Sequence, residues 1–178
     1  MSFPDDLVIR FATSADSAAI LGFIRDLAEY EKLSHACVAT EEQLRATLFG
    51  ARPGAEVVIA ELGGAPVGFA LFFPSYSTFL AKPGMYLEDL FVQPVARGKG
   101  VGSALLSALA RISLDRSYGR FEWSVLDWNE PAIRLYRSLG AAPMDEWTVN
   151  RLTGAPLAKL AEQWPHPVRA MRSGTQPG

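Results

Sequence analysis

The sequence predicts a mixed α/β fold, in which an antiparallel hairpin comes first and a β-α-β crossover comes later. Two strand-like runs, Glu56–Glu61 and Val67–Phe73, flank a Gly63-Gly64 turn, which is the pattern of a hairpin. Further along, a strand-like run at Met85–Val92 leads through a glycine-rich turn into an apolar helical segment. This order indicates one sheet with helices packed against it.

The segment before the hairpin predicts one strand and two helices. Leu7–Ala12 is typical of a strand. Thr13 with Asp16, and Thr40 with Gln43, have the spacing of capping boxes, in which two residues at a helix start exchange hydrogen bonds. We therefore expect a helix after each pair. The first helix has one apolar face, formed by Ile20, Leu21, Ile24, Leu27 and Ala28.

The middle of the chain completes the crossover. Pro74–Gly84 is polar and aromatic, and it predicts a loop. A helix is expected from about Ser103 to Ser117, followed by a strand at Phe121–Leu126.

The C-terminal part predicts one more helix and one more strand. Asn129 is a good N-cap, and Pro131 is tolerated in the first turn of the helix that it starts. That helix is expected to end at Gly140. Trp147–Leu152 predicts a final strand, and Pro165–Gly178 predicts a loose tail.

Composition narrows the class of protein. The 178 residues fit one domain, which we expect to span residues 1–164, with 165–178 as the tail. One cysteine, Cys37, excludes an internal disulfide, and His35 and His166 are too few and too isolated for a metal site. A formal charge of −2 argues against a nucleic-acid partner, and no apolar run approaches the roughly 20 residues of a membrane span. A cytoplasmic location is expected because the N-terminus lacks the basic residues of a signal peptide.

The most informative segment is Gln93–Ser103, between a strand and a helix. Its alternating glycines, Gly98, Gly100 and Gly102, let backbone N–H groups turn toward one point. A helix N-terminus attracts anions, and Arg97 and Lys99 add positive charge. The segment therefore predicts a cradle for a pyrophosphate. A Walker loop fits badly because Gly100, rather than Ser or Thr, follows Lys99. A dinucleotide fingerprint fits badly because it requires Gly or Ala where Ser103 stands.

Two motifs resemble a known family. Arg97-Gly98-Lys99-Gly100-Val101-Gly102 matches Q/R-x-x-G-x-G/A, and Asn129 to Gly140 matches N-x-x-A-x-x-x-Y-x-x-x-G. Together they resemble the coenzyme-A-binding signatures of the GNAT superfamily of N-acetyltransferases. Three strings narrow the resemblance to its diamine (spermidine/spermine) acetyltransferase branch: Tyr30-Glu31, Tyr86-Leu87-Glu88-Asp89 and Trp128-Asn129-Glu130-Pro131.

The resemblance implies a three-layer fold with a splayed, mixed, seven-stranded sheet, acetyl-CoA bound in the splay, and a homodimer. The residues that it places at the cofactor are Leu90, Phe91, Val92, Arg97, Gly98, Lys99, Gly100, Val101, Gly102, Ser103, Asn129 and Tyr136.

The family also implies the catalytic residues. Tyr136 would protonate the departing thiolate, and Glu88 would accept the proton of the attacking amine through water. Glu88 would also attract the ammonium form of the substrate, and Asp89 would help to bind the substrate. Because Glu88 and Asp89 are adjacent on a strand, we expect them to face opposite sides of the sheet.

Tyr30, Glu31, Tyr76 and Phe79 are candidates for an amine pocket, since a carboxylate with aromatic walls suits an alkylammonium. No acid follows Glu31 before Glu41, which favours a short diamine or a lysine-like amino acid over a long polycation. Two other functions stay open at this point, namely acetylation of a protein lysine or N-terminus and non-catalytic sensing of acyl-CoA.

Overall fold

The computed structural model describes residues 3–164. The helices and strands, in chain order, are β1 (Leu7–Phe11), α1 (Ser17–Tyr30), α2 (Glu41–Phe49), β2 (Glu56–Leu62), β3 (Ala65–Ser77), β4 (Lys82–Val92), α3 (Val101–Asp115), β5 (Phe121–Trp123), α4 (Glu130–Ser138) and α5 (Gly154–Ala161). The chain divides into two compact units, one ending at Ser138 and one starting at Leu139. All five strands belong to the first unit.

The sheet has the order β1-β2-β3-β4-β5, so every strand lies beside its neighbour in sequence. The first four strands are antiparallel, and β5 is parallel to β4 because α3 carries the chain back across the sheet. The mixed α/β class is confirmed. The prediction of seven strands is wrong for residues 3–164, where five are present, and β5 ends at Trp123 rather than at Leu126.

Helices cover both faces of the sheet in this first unit, which gives three layers. Alternate residues of β2 illustrate the arrangement, because Val58 packs on the side of α3 while Ile59 packs on the side of α1. On the α3 side the core includes Phe72, Met85, Leu87, Leu105 and Leu109. On the α1 side it includes Ile20, Phe23, Phe69 and Phe91.

Both capping boxes are confirmed. Thr13 N donates to Asp16 Oδ2 at 2.7 Å at a short 3₁₀ turn that leads into α1. At the start of α2, Gln43 N donates to Thr40 Oγ1 at 3.2 Å, and Thr40 N donates to Gln43 Oε1 at 3.0 Å. Each exchange satisfies backbone donors that a helix start leaves without partners.

The predicted loop Pro74–Gly84 is wrong, because most of it extends the β3–β4 hairpin. The pairing continues from Pro74 opposite Met85 to Ser77 opposite Lys82 and leaves only residues 78–81 as the turn. Pro74 is tolerated because β2 stops pairing at Phe72, so no neighbour on that side needs its missing N–H group. Cross-strand pairing therefore overrides the polar composition of this segment.

The second unit also differs from expectation. Trp147–Leu152 forms no strand, since it pairs with no other strand in the structure, and α5 follows it at Gly154–Ala161. The predicted tail, 165–178, lies outside the described residues. No helix within residues 3–164 is both long enough and apolar enough to cross a membrane.

Candidate active site

The sheet opens at the C-terminal half of β4. β5 pairs with β4 only between Met85 and Leu87, so the edge of β4 from Glu88 to Val92 has no strand partner on that side. Backbone N–H and C=O groups along this edge can pair with an extended ligand in the way that a further strand would. The predicted residues Leu90, Phe91 and Val92 all lie on this edge.

A β-bulge lies at the start of the open edge. Leu71 pairs with Asp89, but Phe72 pairs with Leu87, so Glu88 has no partner on β3. As a result Leu87 and Leu90 both pack on the α3 side, although strict alternation would place them on opposite faces. The extra residue puts both Glu88 and Asp89 on the α1 side. The expectation that the two carboxylates face opposite sides of the sheet is therefore wrong.

The glycine-rich loop presents a run of free amides. Arg97 N donates to Pro94 O, and Ala104 N makes the first hydrogen bond of α3, to Gly100 O. Within residues 3–164, the six N–H groups between them, those of Gly98, Lys99, Gly100, Val101, Gly102 and Ser103, donate to no acceptor. Six unsatisfied donors at the start of a 15-residue helix are suited to an anion such as a phosphate or pyrophosphate.

Two glycines shape this loop in different ways. Gly100 has a φ of 82°, a left-handed conformation that side chains with a Cβ rarely adopt, and it is the residue from which α3 starts. At Gly102 an added Cβ would lie 3.9 Å from both Val92 and Leu135. Gly102 thus faces the space between β4 and α4, which an added methyl group would enter.

A shallow groove of about 650 Å³ lies beside the same loop, lined by Phe3, Pro4, Asp6, Leu62, Gly98, Lys99 and Gly100. Its walls are about equally polar and apolar. Asp6 and Lys99 both line the groove, so it is bordered by one acidic and one basic residue.

Arg97 holds the loop against β4. Its Nε donates to Val92 O at 2.9 Å, and its guanidinium carbon lies 5.0 Å from the ring centroid of Tyr30 and 5.5 Å from that of Phe91. These contacts occupy one edge and the face of the guanidinium. Lys99 is exposed at the tip of the loop.

Tyr136 is in the second half of α4. Its ring makes an edge contact with Trp123 at a centroid distance of 5.1 Å, and it packs against the α3-side core. Burial raises the pKa of the Tyr136 phenol, and the charges of Glu31 and Tyr30 raise it further. At neutral pH the hydroxyl therefore keeps its proton and can donate it.

Three carboxyl groups lie near one another at the bulge. Burial, then the adjacent Glu88 and then Glu31, raise the pKa of Asp89 to about 6. Burial also raises the pKa of Glu31. Glu88 is exposed to solvent. None of the three forms a salt bridge with a cation of residues 3–164, so the group can accept a positively charged ligand.

The other predicted residues fall into two places. Tyr30 lies with Asn129, since its hydroxyl donates to Asn129 Oδ1 at 3.1 Å. Tyr76 and Phe79 lie at the far end of the hairpin, and Phe79 is 97% exposed. Tyr76 pairs with Pro83, six residues before Asp89 along β4, a separation of about 20 Å. The structure does not bring these two aromatic residues to the carboxylates of the same chain.

Three residues near the site carried no role in the sequence analysis. Trp123 contacts Tyr136, Trp128 lies with its ring centroid 5.8 Å from that of Tyr30, and Leu135 faces Gly102. Trp128 could have been found because it directly precedes the N-cap of α4. Trp123 and Leu135 carry no signal that separates them from core residues. Among residues 3–164, no three His, Cys, Asp or Glu side chains are placed to hold a metal ion.

Comparison with known proteins shows the family of the chain. The model of the acetyltransferase (GNAT) family matches residues 24–141. The chain is 40% identical to the thialysine N-epsilon-acetyltransferase of Sus scrofa, over 87% of this chain and 97% of that protein. It is 35% identical to the L-ornithine N5-acetyltransferase of Arabidopsis thaliana, over 85% and 86% of the two chains. An integron cassette protein of V. cholerae has a similar structure, with a TM-score of 0.76 and 28% identity over 89% of this chain and 99% of that one. The chain therefore belongs to the acetyltransferase (GNAT) family.

Proposed function

We propose that this protein transfers the acetyl group of acetyl-CoA to a primary amine of a small molecule, by direct attack within a ternary complex. The substrate class is a lysine-like amino acid or a short diamine or polyamine. The observation that carries the proposal is that free amides, an open strand edge, a protonated phenol and carboxyl groups lie on neighbouring elements. Gly102 faces Val92 and Leu135, and the charge of Glu31 raises the pKa of both Asp89 and Tyr136. The substrates named for the two curated relatives, thialysine and ornithine, support the same class.

The residues present fit coenzyme A. The amides of Gly98–Ser103 would hold its pyrophosphate, and the open edge of β4 at Leu90–Val92 would pair with the pantetheine arm. The Oδ1 atom of Asn129 accepts from Tyr30 and from Ala132 N. Its Nδ2 group has no acceptor within residues 3–164 and would donate to the arm. The bound coenzyme supplies the acetyl group as a thioester.

Two carboxylates would bind the amine, and a third would accept its proton. An ionised Asp89, shielded from water, gains most from pairing with an ammonium group, so we assign it to substrate binding together with Glu31. Glu88 is exposed on the bulge and can pass a proton to bulk water. It would accept the proton that the amine loses before its nitrogen attacks the acetyl carbon.

Tyr136 would complete the transfer. As the new C–N bond forms, the bond between the acetyl carbon and sulfur breaks, and the sulfur takes a proton from the phenol. The raised pKa of Tyr136 keeps that proton available until the transfer. A backbone N–H on the open edge of β4 would polarise the acetyl carbonyl.

The remaining assignments belong to the same proposal. Residues 1–164 would form one acetyltransferase domain, which is supported by a relative whose similarity covers 87% of this chain. The protein would act in the cytoplasm as a homodimer. Tyr76 and Phe79 would then reach an amine pocket only from a partner subunit, because they lie far from Asp89 in their own chain.

A thiol-release assay with acetyl-CoA tests the proposal. The amine panel should contain thialysine, lysine, ornithine, putrescine, spermidine and a lysine-containing peptide. Release stimulated by a small amine supports the proposal and identifies the substrate class. Release with the peptide alone would indicate protein acetylation instead, and tight acetyl-CoA binding without release would indicate a sensor.

A further inference from the structure

Helix α4, which carries Tyr136, is joined to α1 by a polar contact at its N-cap. Asn129 caps α4 by accepting a hydrogen bond from Ala132 N at 3.4 Å, and the same Oδ1 accepts from the hydroxyl of Tyr30 at 3.1 Å. Tyr30 is the last residue of α1 and lies 99 residues earlier in the chain. The start of α4 is therefore held by the end of α1.

The ring of Tyr30 is itself fixed on two sides. The guanidinium carbon of Arg97 lies 5.0 Å from its centroid, and the Trp128 ring lies 5.8 Å from it. Arg97 in turn donates to Val92 O on the open edge of β4. Arg97 and Trp128 thus hold the ring of Tyr30 in place, and its hydroxyl is directed at Asn129.

From these contacts we infer that Tyr30 is a positioning residue for acetyl transfer, which acts through Asn129 and α4 on the hydroxyl of Tyr136. The inference rests on the proposed role of Tyr136. Seven residues, or about two helical turns, separate Asn129 from Tyr136, so a displaced helix start moves the phenol at the thioester. A displacement of about 1 Å at a reacting group can lower a rate by 10²-fold.

The contacts of Tyr30 argue for positioning over direct binding of the amine. Its hydroxyl is committed to Asn129, and its ring already contacts Arg97 and Trp128. A substrate ammonium at the same ring would meet the positive charge of Arg97. The electrostatic effect of Tyr30 on the Tyr136 pKa is consistent with their closeness.

The experiment is a double-mutant cycle with Tyr30→Phe and Tyr136→Phe. Tyr30→Phe removes one hydroxyl and keeps the ring that contacts Arg97 and Trp128. Tyr118→Phe is the matched control. The hydroxyl of Tyr118 interacts with Arg116, near the turn between β3 and β4 and away from α4. Thermal unfolding verifies that each variant is folded, and calorimetry gives its Kd for acetyl-CoA.

We expect Tyr30→Phe to lower kcat about 10-fold. The Kd for acetyl-CoA should change less than about threefold, because Ala132 N still orients the amide of Asn129. In the Tyr136→Phe background the same change should have no further effect on kcat, and Tyr118→Phe should match the wild type. An equal loss of kcat in both backgrounds, or no loss in the wild-type background, would overturn the inference. If Tyr136→Phe alone left kcat unchanged, the proposed acid would be wrong, which is a different result.

Discussion

Glu31 at the end of α1 lies close enough to Asp89 on β4 for its charge to raise the pKa of Asp89. Burial is the main reason that the pKa of Asp89 is raised to about 6, and the charges of Glu88 and Glu31 add to it. Burial likewise raises the pKa of Glu31. A shielded carboxylate without a positively charged partner favours the binding of a cation. A protonated amine substrate would supply that cation.

The first prediction concerns the pH dependence of amine use. If ionised Asp89 binds the ammonium group, the logarithm of kcat/KM for the amine should fall more steeply below about pH 6 than between pH 6 and 8. Asp89→Asn should lower kcat/KM at pH 8 by at least about 10-fold and remove this change of slope. A change of slope that persists in Asp89→Asn would assign the titration to another group.

Glu31→Gln should move the same change of slope to lower pH. Removing the charge of Glu31 removes one of the causes that raise the pKa of Asp89. Glu29→Gln is the matched control, since it makes the same change on the same helix at an exposed residue that does not contribute to the Asp89 shift. Equal profiles for the two variants would contradict the placement of Glu31 beside Asp89.

The difference in stability between Asp89→Asn and the wild type should depend on pH. The folded pKa of Asp89, about 6, is higher than its ordinary value of 3.8, so the folded protein favours the protonated carboxyl. The wild type therefore loses stability as pH rises from about 4 to above 6, and the variant has no such loss at this residue. Between pH 3.5 and pH 8, urea unfolding should show the variant gaining about 2–3 kcal/mol relative to the wild type. A constant difference would mean that Asp89 is not shielded.

Gly102→Ala should separate fold stability from cofactor binding. The added methyl group has room in the fold, at 3.9 Å from Val92 and Leu135, and alanine favours a helix more than glycine does. Thermal stability should therefore stay equal or rise, while the Kd for acetyl-CoA rises by about 10-fold because the methyl group enters the space between β4 and α4. Gly22→Ala, also in a helix with open space around it, should raise stability without changing the Kd. Equal Kd values for both variants would place the coenzyme elsewhere.

Features with short-range causes could be predicted from the sequence. The capping boxes at Thr13 and Thr40 need only four residues each, and the β2–β3 hairpin needs only its turn and two alternating runs. The free amides from Gly98 to Ser103 follow from glycine spacing at a helix start. These features depend on local geometry, so contacts with distant parts of the chain do not alter them.

Features set by distant contacts could not be predicted in this way. The bulge at Glu88 exists only because β3 pairs with β4 in a register that omits it, and it reverses the expected facing of one carboxylate. The contact between Tyr30 and Asn129 spans 99 residues, and neither residue type signals the other. Trp147–Leu152 has the local character of a strand but finds no strand partner, and β structure requires one.

The kinetics of Tyr136→Phe test the central claim most directly, because the variant removes only the hydroxyl assigned as the acid. The variant keeps the aromatic contact with Trp123, so its fold and its acetyl-CoA Kd by calorimetry should match the wild type. With the best amine of the panel, kcat should fall by about 10²-fold or more, which is the usual loss when acid–base help is removed. A kcat equal to that of the wild type would contradict the assignment of Tyr136 as the acid of acetyl transfer.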